Sequence, residues 1–400
     1  MSRTGAVTAR GADSWWAWAA SRIVPAAASP GGDSGAPQPV PATTVHNEHS
    51  GSADNVVQAG QIFGGVHFHG DRRPVPDDSP WLRSCWAPLA AAGAAMEMRY
   101  LTRPGDARLG AFLIVRAEAH NEETAERQVV ALRSQLGTMP GHVIATPVTD
   151  EAETHAILEP FRPHTNGIAE IRKRLTTHRT DRDDAPHPWL ATVTPLTYQH
   201  QPWTALWSEL AGLPFHTALS VGLVPYPIGP GLRSRLAAMA ADLARLAQPG
   251  PSPTAVWTVP RPPDAFAAAA LPLISDAVRR YTDRAFVIRI SVAAERPLPG
   301  ILPELVASTI SPATGTHAFV AAAPVVVRPE PADKPIAWHN FTALNFAPLS
   351  AYDQGNPPEA VGELERALSA VVDLDEAAAA FRLPHRGSGP ALFAAPNAPV

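Results

Sequence analysis

Residues 264–292, DAFAAAALPLISDAVRRYTDRAFVIRISV, decide the fold class of this 400-residue chain, because they contain both kinds of hydrophobic periodicity. Asp264 is placed to cap a helix in which Ala269, Leu273, Ala277 and Tyr281 follow one another every four residues. From residue 285 to residue 292, large apolar side chains alternate with polar or small ones, as in a β-strand. A helix followed directly by a strand predicts a mixed α+β or α/β fold.

The same alternation extends outward from this stretch. Hydrophobic spacing predicts helices at residues 122–136, 150–158, 203–210, 232–248, 303–310 and 359–372. It predicts strands at residues 99–101, 111–115, 142–147, 189–195, 216–225 and 318–327, with a further hydrophobic segment at 86–98. We therefore expect one globular α+β domain over residues 81–384, with two lobes at most.

The residues on either side of this domain have a different composition. Residues 26–54 are mostly Ala, Pro, Gly and Ser, so we expect residues 1–54 to be a disordered tether. Within it, a short helix is predicted from Ser14 to Pro25, and its three tryptophans would either dock on the main domain or bind a partner's groove. Residues 70–80 are expected to be a linker and residues 385–400 a disordered tail.

Residues 55–69, NVVQAGQIFGGVHFH, form a short β-prone stretch without formal charge when its histidines are neutral. β-branched, aromatic and glutamine side chains stack well in cross-β ladders, and the glycines allow a bend between two arms. We therefore predict an assembly motif, alone disordered and ordered when stacked, made by Asn55, Val56, Val57, Gln58, Ala59, Gly60, Ile62, Gly64, Gly65, Val66 and Phe68. A structural hairpin, an edge strand of the following domain or a plain linker is the alternative.

This string resembles the bacterial amyloid signalling sequences, a group similar to the RIP homotypic interaction motif and built on a Gln-x-Gly core between apolar arms. The matching residues are Val57, Gln58, Gly60, Ile62, Gly65 and Val66, whereas Phe63 departs from the pattern. The resemblance implies self-assembly and templating by a partner protein with a similar motif, such as a nucleotide-binding receptor in bacterial defence signalling.

A second resemblance covers residues 86–384. The runs 167–172, 279–281 and 286–292, together with DEAAAAFRLP at 375–384, resemble the region preceding the nucleotide-binding core of HerA-like and type IV secretion ATPases. The chain contains no Gly-x-x-x-x-Gly-Lys-Ser/Thr pattern, so the resemblance implies an accessory subunit whose P-loop ATPase is a separate chain. The basic residues Arg172, Lys173 and Arg174 would then be a phosphate-contacting patch; a solvated helix face is the alternative.

No catalytic motif is present: the chain has no nucleophile elbow, no His-Glu-x-x-His and no Cys-x-x-Cys. The one cysteine, Cys85, excludes an intramolecular disulfide and fits a reducing cytoplasm. Four imidazoles, of His46, His49, His67 and His69, lie near the motif, but nothing fixes their geometry, so we expect no metal and no cofactor.

The net charge of -5 gives no global field for nucleic acid, and no apolar run has the length of a membrane span. We therefore expect a cytoplasmic interaction protein that is not an enzyme and that assembles through residues 55–69. An enzyme whose site is visible only in the fold is the remaining alternative.

Overall fold

The computed structural model describes residues 4–26, 75–199, 201–251, 260–313, 323–386 and 391–395, and an antiparallel sheet runs through the centre of this part of the chain. The strands are β1 (Val7–Arg10), β2 (Trp15–Pro25), β3 (Ala95–Thr102), β4 (Leu109–Ala119), β5 (Val143–Pro147), β6 (Ile168–Arg172), β7 (Leu175–Arg179), β8 (Trp189–Val193), β9 (Thr217–Pro227), β10 (Arg284–Ala294), β11 (Val325–Val327) and β12 (Val371–Val372). The helices are α1 (Ser79–Ala91), α2 (Glu122–Leu136), α3 (Glu151–Leu158), α4 (Thr204–Ala211), α5 (Pro230–Leu246), α6 (Ala265–Arg280), α7 (Ile301–Ile310), α8 (Lys334–Ala343), α9 (Glu363–Ala370) and α10 (Leu374–Ala380). The predicted α+β class is confirmed.

The main sheet has the strand order β1-β2-β4-β3-β9-β10-β6-β11, with β5 also paired to β2 and β12 to β10. β7 and β8 form a separate hairpin. All pairs formed by these twelve strands of the described residues are antiparallel, so neighbouring strands pair without the parallel crossovers that an α/β fold would need.

Two halves of the chain share one topology. The elements β2-α1-β3-β4-α2-β5 and β6-α4-β9-β10-α7-β11 both follow the order βαββαβ, known as a split βαβ unit. Their strands lie in matching orders, β5-β2-β4-β3 and β11-β6-β10-β9, and α3 and α8 follow the last strand of each half. The halves meet where β3 pairs with β9, from Met96 opposite Leu223 to Leu101 opposite Ala218. A pseudo-twofold axis therefore passes between these two strands.

The helices divide between the two faces of the sheet according to the same symmetry. One face carries α1, α2, α4, α7 and α10 on a large apolar core that includes Met96, Met98 and Tyr100 of β3. The other face carries α3 and α8 on a smaller core that includes Phe112 and Phe341. Because both faces are covered, the central strands are buried on both sides, and β3 has no exposed residue.

The predicted N-terminal helix is wrong, because residues 15–25 are the long strand β2. β2 pairs with β4 along one edge and with β1 and β5 along the other, so Trp18, Ala20 and Ile23 are buried in the two cores. Residues 4–26 thus belong to the folded domain and not to the predicted tether over residues 1–54.

Two further boundaries differ from the sequence predictions. The predicted linker over residues 70–80 ends early, since α1 begins at Ser79. The predicted tail over residues 385–400 is wrong for residues 391–395, where Leu109 of β4 exchanges backbone hydrogen bonds with Leu392 and Ala394. The buried ring of Phe393 there packs against Tyr100 and Trp207.

The described residues on both sides of residues 27–74 cluster as one unit, so the domain does not divide into two lobes. None of the described helices has the length and hydrophobicity that crossing a membrane requires. The predicted assembly motif at 55–69 lies outside the described residues.

Candidate functional site

A buried ionic cluster lies at the centre of the sheet, on the face that carries α3 and α8. Glu97 of β3 accepts from Arg99 Nε at 2.6 Å through one carboxylate oxygen and from Arg289 Nη2 at 2.7 Å through the other. Since all three side chains are buried, each charge requires a partner inside the protein.

The remaining donors of these two arginines bind the C-terminal ends of the helices above them. Arg99 Nη1 donates to the carbonyl oxygens of Ile157 and Leu158, where α3 ends, at 2.7 and 2.9 Å. Arg289 Nη1 donates to the carbonyl oxygens of Asn340 and Asn345, where α8 ends. Carbonyl groups in the last turn of a helix lack partners within the helix and favour a cation. The cluster therefore fixes α3 and α8 on the sheet, which is a structural role.

Beside this cluster, a cleft of about 440 Å³ opens between β6, β10 and the chain that follows α8. Its walls combine three guanidinium groups, hydroxyl groups and an apolar surface. The lining includes Arg172, Arg289, Arg366, Ser350, Ser369, Tyr352, Asp353, Phe346, Pro348 and Leu349. Ligand pockets commonly have volumes between about 300 and 1,000 Å³ and mix a few polar groups with apolar walls. We treat this cleft as the candidate functional site.

Arg172, the last residue of β6, is held at the cleft by an aromatic ring. Its guanidinium carbon lies 3.7 Å from the centroid of the Tyr352 ring, and its Nη2 is 3.4 Å from Ser369 Oγ. Tyr352 in turn donates its hydroxyl hydrogen to the buried carboxylate of Glu170. Glu170 and Tyr352 thus orient Arg172 from below.

Two buried polar atoms of this region have no hydrogen-bond partner among the described residues. They are Oε1 of Glu170 and Nε of Arg289. Burial raises the pKa of Glu170, although the hydroxyl of Tyr352 and the charges of Arg289 and Arg172 act in the opposite direction. Unpaired buried polar atoms are uncommon in folded proteins, and here one of the two belongs to a residue that lines the cleft.

The predicted phosphate patch is divided by the structure. Arg172 lines the cleft, whereas Arg174 donates to the backbone carbonyl of Ala323 at 2.8 Å. Lys173 is buried, and its Nζ lies 2.8 Å from Tyr281 Oη, 2.9 Å from the carbonyl oxygen of Val371 and 3.0 Å from Glu376 Oε1. The prediction is wrong for Lys173, because these groups occupy all three of its donors inside the protein.

The buried cluster around Lys173 joins three segments that are far apart in sequence. Tyr281 follows the end of α6, Glu376 lies in α10, and Glu376 also accepts from the backbone N–H groups of Leu196 and Asp373. Segments 167–172, 279–281 and 375–384, which carry the resemblance to the ATPase region, therefore meet in or beside this cluster. The resemblance itself stays a prediction.

The first half of the chain has an equivalent cleft of about 280 Å³. In β2, Arg22 lies opposite Phe112 of β4. In the second half, extending the pairing of Ile171 with Ile290 by one residue places Arg172 opposite Arg289, at the equivalent positions of β6 and β10. Arg22 is bound by Glu153 at 2.6 Å and lies over the Phe112 ring, at 5.1 Å from its centroid. The two clefts thus share a position and one arginine but differ in charge.

Among the described residues, no group of three or more His, Cys, Asp or Glu side chains has the arrangement of a metal site. His46, His49, His67 and His69 lie outside that part of the chain. No protein-family model matches the chain, and no curated protein is significantly similar to it, so its function must be inferred from its sequence and geometry.

Proposed function

We propose that this protein is a non-enzymatic interaction protein that assembles through residues 55–69 and thereby concentrates its folded domain at a partner that carries a similar motif. The observation that carries the proposal is the position of this motif within the chain. The motif lies in an insertion between β2 and α1, in the first crossover of the first βαββαβ unit.

Both ends of this insertion are held at the same residue of the domain. The backbone N–H of Ala26 donates to the carbonyl oxygen of His142 at 2.8 Å, and Asp78 Oδ1 lies 3.3 Å from His142 Nε2. Residues 26 and 78, on the two sides of the insertion, therefore both contact His142, next to β5. The crossover of the second half also contains an insertion, the β7–β8 hairpin, so this position in the fold tolerates added chain.

The physics of the motif supports stacking between molecules. Each strand added to a cross-β stack pairs its backbone with the strand below at a spacing of about 4.8 Å, and glutamine amides bond to their own copies. Gln58 and Gln61 provide such amides, and Val56, Ile62, Val66 and Phe68 provide apolar contacts. Stacking raises the local concentration of the attached domains without any further contact between them.

Full-length protein mixed with preformed seeds of a peptide of residues 50–72 provides the test, with sedimentation and electron microscopy as the measurements. The Gly60→Pro variant is expected not to assemble, because proline removes a backbone donor and cannot adopt the conformations open to glycine. Gly51→Pro is the matched control, since it makes the same substitution outside the motif and is expected to assemble like the wild type. Both variants should keep the unfolding transition of the wild-type domain. Assembly of Gly60→Pro at the wild-type rate would contradict the proposal.

A further inference from the structure

We infer that the cleft between β6, β10 and the chain following α8 binds a small organic anion, with a phosphate or carboxylate group against Arg172 and an apolar body against Phe346, Pro348 and Leu349. This inference does not depend on the assembly proposed for residues 55–69. It rests on the cleft, on the arginine at its wall and on the buried donor of Arg289.

Arg172 is a cation at the wall of the cleft. Among the described residues, no carboxylate lies within ion-pair distance of its guanidinium group, and its hydrogen bond to Ser369 Oγ is long at 3.4 Å. A guanidinium group stacked on a ring keeps its N–H donors in its own plane, so stacking on Tyr352 leaves them open to a ligand. An arginine with its orientation fixed but its charge unpaired favours an anion.

The acidic groups near Arg172 each have another partner. Asp353 accepts from Arg366 Nε at 2.9 Å, and Glu97 is bound by Arg99 and Arg289. Glu170 accepts from Tyr352 through one oxygen, and burial raises its pKa, although Tyr352, Arg289 and Arg172 act in the opposite direction. Arg172 is therefore the cation of the cleft that these carboxylates leave available.

The Nη groups of Arg289 donate to Glu97 and to backbone carbonyl oxygens. Its Nε is buried and has no acceptor in the described part of the chain. A buried N–H without a partner is unfavourable, and this one belongs to a residue that lines the cleft. Arg172 and Arg289 thus place two guanidinium groups at the same cleft.

The equivalent cleft of the first half shows what distinguishes the site. There the charge of Arg22 is matched by Glu153 at 2.6 Å, and Phe112 replaces Arg289. Arg103 is the other guanidinium group of that cleft and lies 3.6 Å from Asp106, so both of its arginines have a carboxylate partner. Anion binding is accordingly assigned to the second cleft alone, although both belong to the same fold.

The apolar wall determines the remainder of the ligand. Phe346, Pro348 and Leu349 line the cleft together with Val287 and Ile288 of β10, so an inorganic ion would leave this surface uncovered. We therefore expect an organic anion to bind more tightly than inorganic phosphate.

Isothermal titration calorimetry of the full chain tests this with four probes: phenyl phosphate, benzoate, inorganic phosphate and the uncharged benzyl alcohol. At least one of the two organic anions is expected to bind with one-to-one stoichiometry, and the tighter of the two identifies the acidic group. Benzyl alcohol and inorganic phosphate should each bind at least about tenfold more weakly, since each lacks one half of the recognised ligand. The absence of saturable binding by both organic anions would overturn the inference, and so would equal binding of benzyl alcohol.

Arg172→Gln is expected to weaken binding of the preferred anion by at least about tenfold, the effect of losing one charged hydrogen bond. Arg235→Gln is the matched control, because Arg235 is an exposed arginine bound to a carboxylate of Glu363 at 2.9 Å and lies outside the cleft. Binding should be unchanged in this control. An unchanged affinity of Arg172→Gln would overturn the inference. Should that variant fail to fold, Arg366→Gln replaces it, since Arg366 is half-exposed and pairs with Asp353. Its removal leaves the negative charge of Asp353 uncompensated at the cleft, so the affinity for the anion should fall about threefold. An unchanged affinity of this variant would count against the site.

Discussion

Replacing Lys173 by Met is the sharpest test of the buried cluster that joins β6, α6 and α10. Methionine has a similar length, so the change removes the ammonium group with little change in packing. The lost interactions are those with Tyr281, Val371 and Glu376, at distances of 2.8 to 3.0 Å. Removing one partner of a buried ion pair typically destabilises a protein by about 3–5 kcal/mol.

The remaining donors around Glu376 set the expected value within that range. Its carboxylate keeps Tyr281, Arg280 and the backbone N–H groups of Leu196 and Asp373. We therefore expect a loss of about 3 kcal/mol, at the lower end of the range. Urea denaturation followed by tryptophan fluorescence measures it, and an unchanged m-value would show that the same surface unfolds.

The only other lysine of the chain, Lys334, provides the control. It is the first residue of α8 and is half-buried, so Lys334→Met should cost less than about 0.5 kcal/mol. If Lys173→Met also lowered the free energy of unfolding by less than about 0.5 kcal/mol, the structural role of Lys173 would be refuted, and the prediction of an exposed cation there would stand again.

The same cluster predicts how the effect depends on pH. Burial raises the pKa of Glu376, but Lys173 and Arg280 more than offset this and hold it below its usual value. A carboxyl group with a lowered folded-state pKa contributes stability above its unfolded pKa, near 4.3, and loses that contribution as the pH falls through the folded value. The difference between the wild type and Lys173→Met should therefore shrink as the solution is made more acidic than about pH 4. A difference that stays constant would contradict the pairing of Lys173 with ionised Glu376.

Three further outcomes are expected. Because burial raises the pKa of the Cys85 thiol to about 12, this cysteine should stay unreactive towards a disulfide reagent in the native protein and react only as the domain unfolds, which absorbance during denaturation would follow. Gly167→Ala should destabilise the domain by about 1–3 kcal/mol in urea denaturation, because the added Cβ would lie 2.3 Å from the carbonyl oxygen of Ala294. Gly141→Ala is the control: its added Cβ meets no atom within 4 Å, so it should have little effect on stability. Seeded assembly through residues 55–69 should slow between about pH 8 and pH 5, because in-register stacking would place protonated His67 and His69 about 4.8 Å from their copies; a variant with Asn at both positions should lose this dependence.

The elements that the sequence predicted well are those whose signals are local. Asn121 and Asp264 cap α2 and α6 through hydrogen bonds of 2.8 Å to the N–H groups of Thr124 and Ala267. In α2 the hydrophobic spacing agrees as well, since Ala125, Val129, Leu132 and Leu136 are buried. In α6 the buried side chains are instead those of Phe266, Ala267, Ala270, Ile274 and Ala277, so Ala269 and Leu273 of the predicted stripe are only partly buried. The helix predicted for residues 15–25 was wrong because a strand buried on both faces and a short apolar helix have similar compositions. Pairing with the neighbouring strands β4 and β5 decides between them.

The common topology of the two halves could not be predicted from the sequence for another reason. The inserted residues between β2 and α1, and α5 and α6 between β9 and β10, give the halves different lengths and hide their common order. The same holds for the cleft, of which only Arg172 was named from the sequence. Arg289 lies within the quoted stretch 264–292, at a polar position of β10 that would face solvent in a strand covered on one side. It is buried because α8 covers that second face, and its partners come from residues 97, 340 and 345.

The place of the insertion limits how an assembly through residues 55–69 can grow. Six residue steps separate His69 from Val75, and a fully extended chain of that length spans at most about 21 Å. A domain of about 350 residues is about 50 Å across, and about ten strands stack within that length at about 4.8 Å each.

A ring of domains around such a stack would have a radius of about 46 Å at most, which leaves room for about six domains of this size. Stacking one motif in every layer would therefore bring about ten domains into a length of stack around which only about six fit. We expect short assemblies of a few layers for the wild type, and longer ones when a Gly-Ser segment of about twenty residues is inserted after Gly70, since its reach relieves the crowding. The same insertion after Ser34 lengthens the other connection, which already contains residues 27–54, and is the control. Equal assembly lengths for the wild type and the Gly70 insertion, measured by electron microscopy, would show that the short connection does not limit stacking.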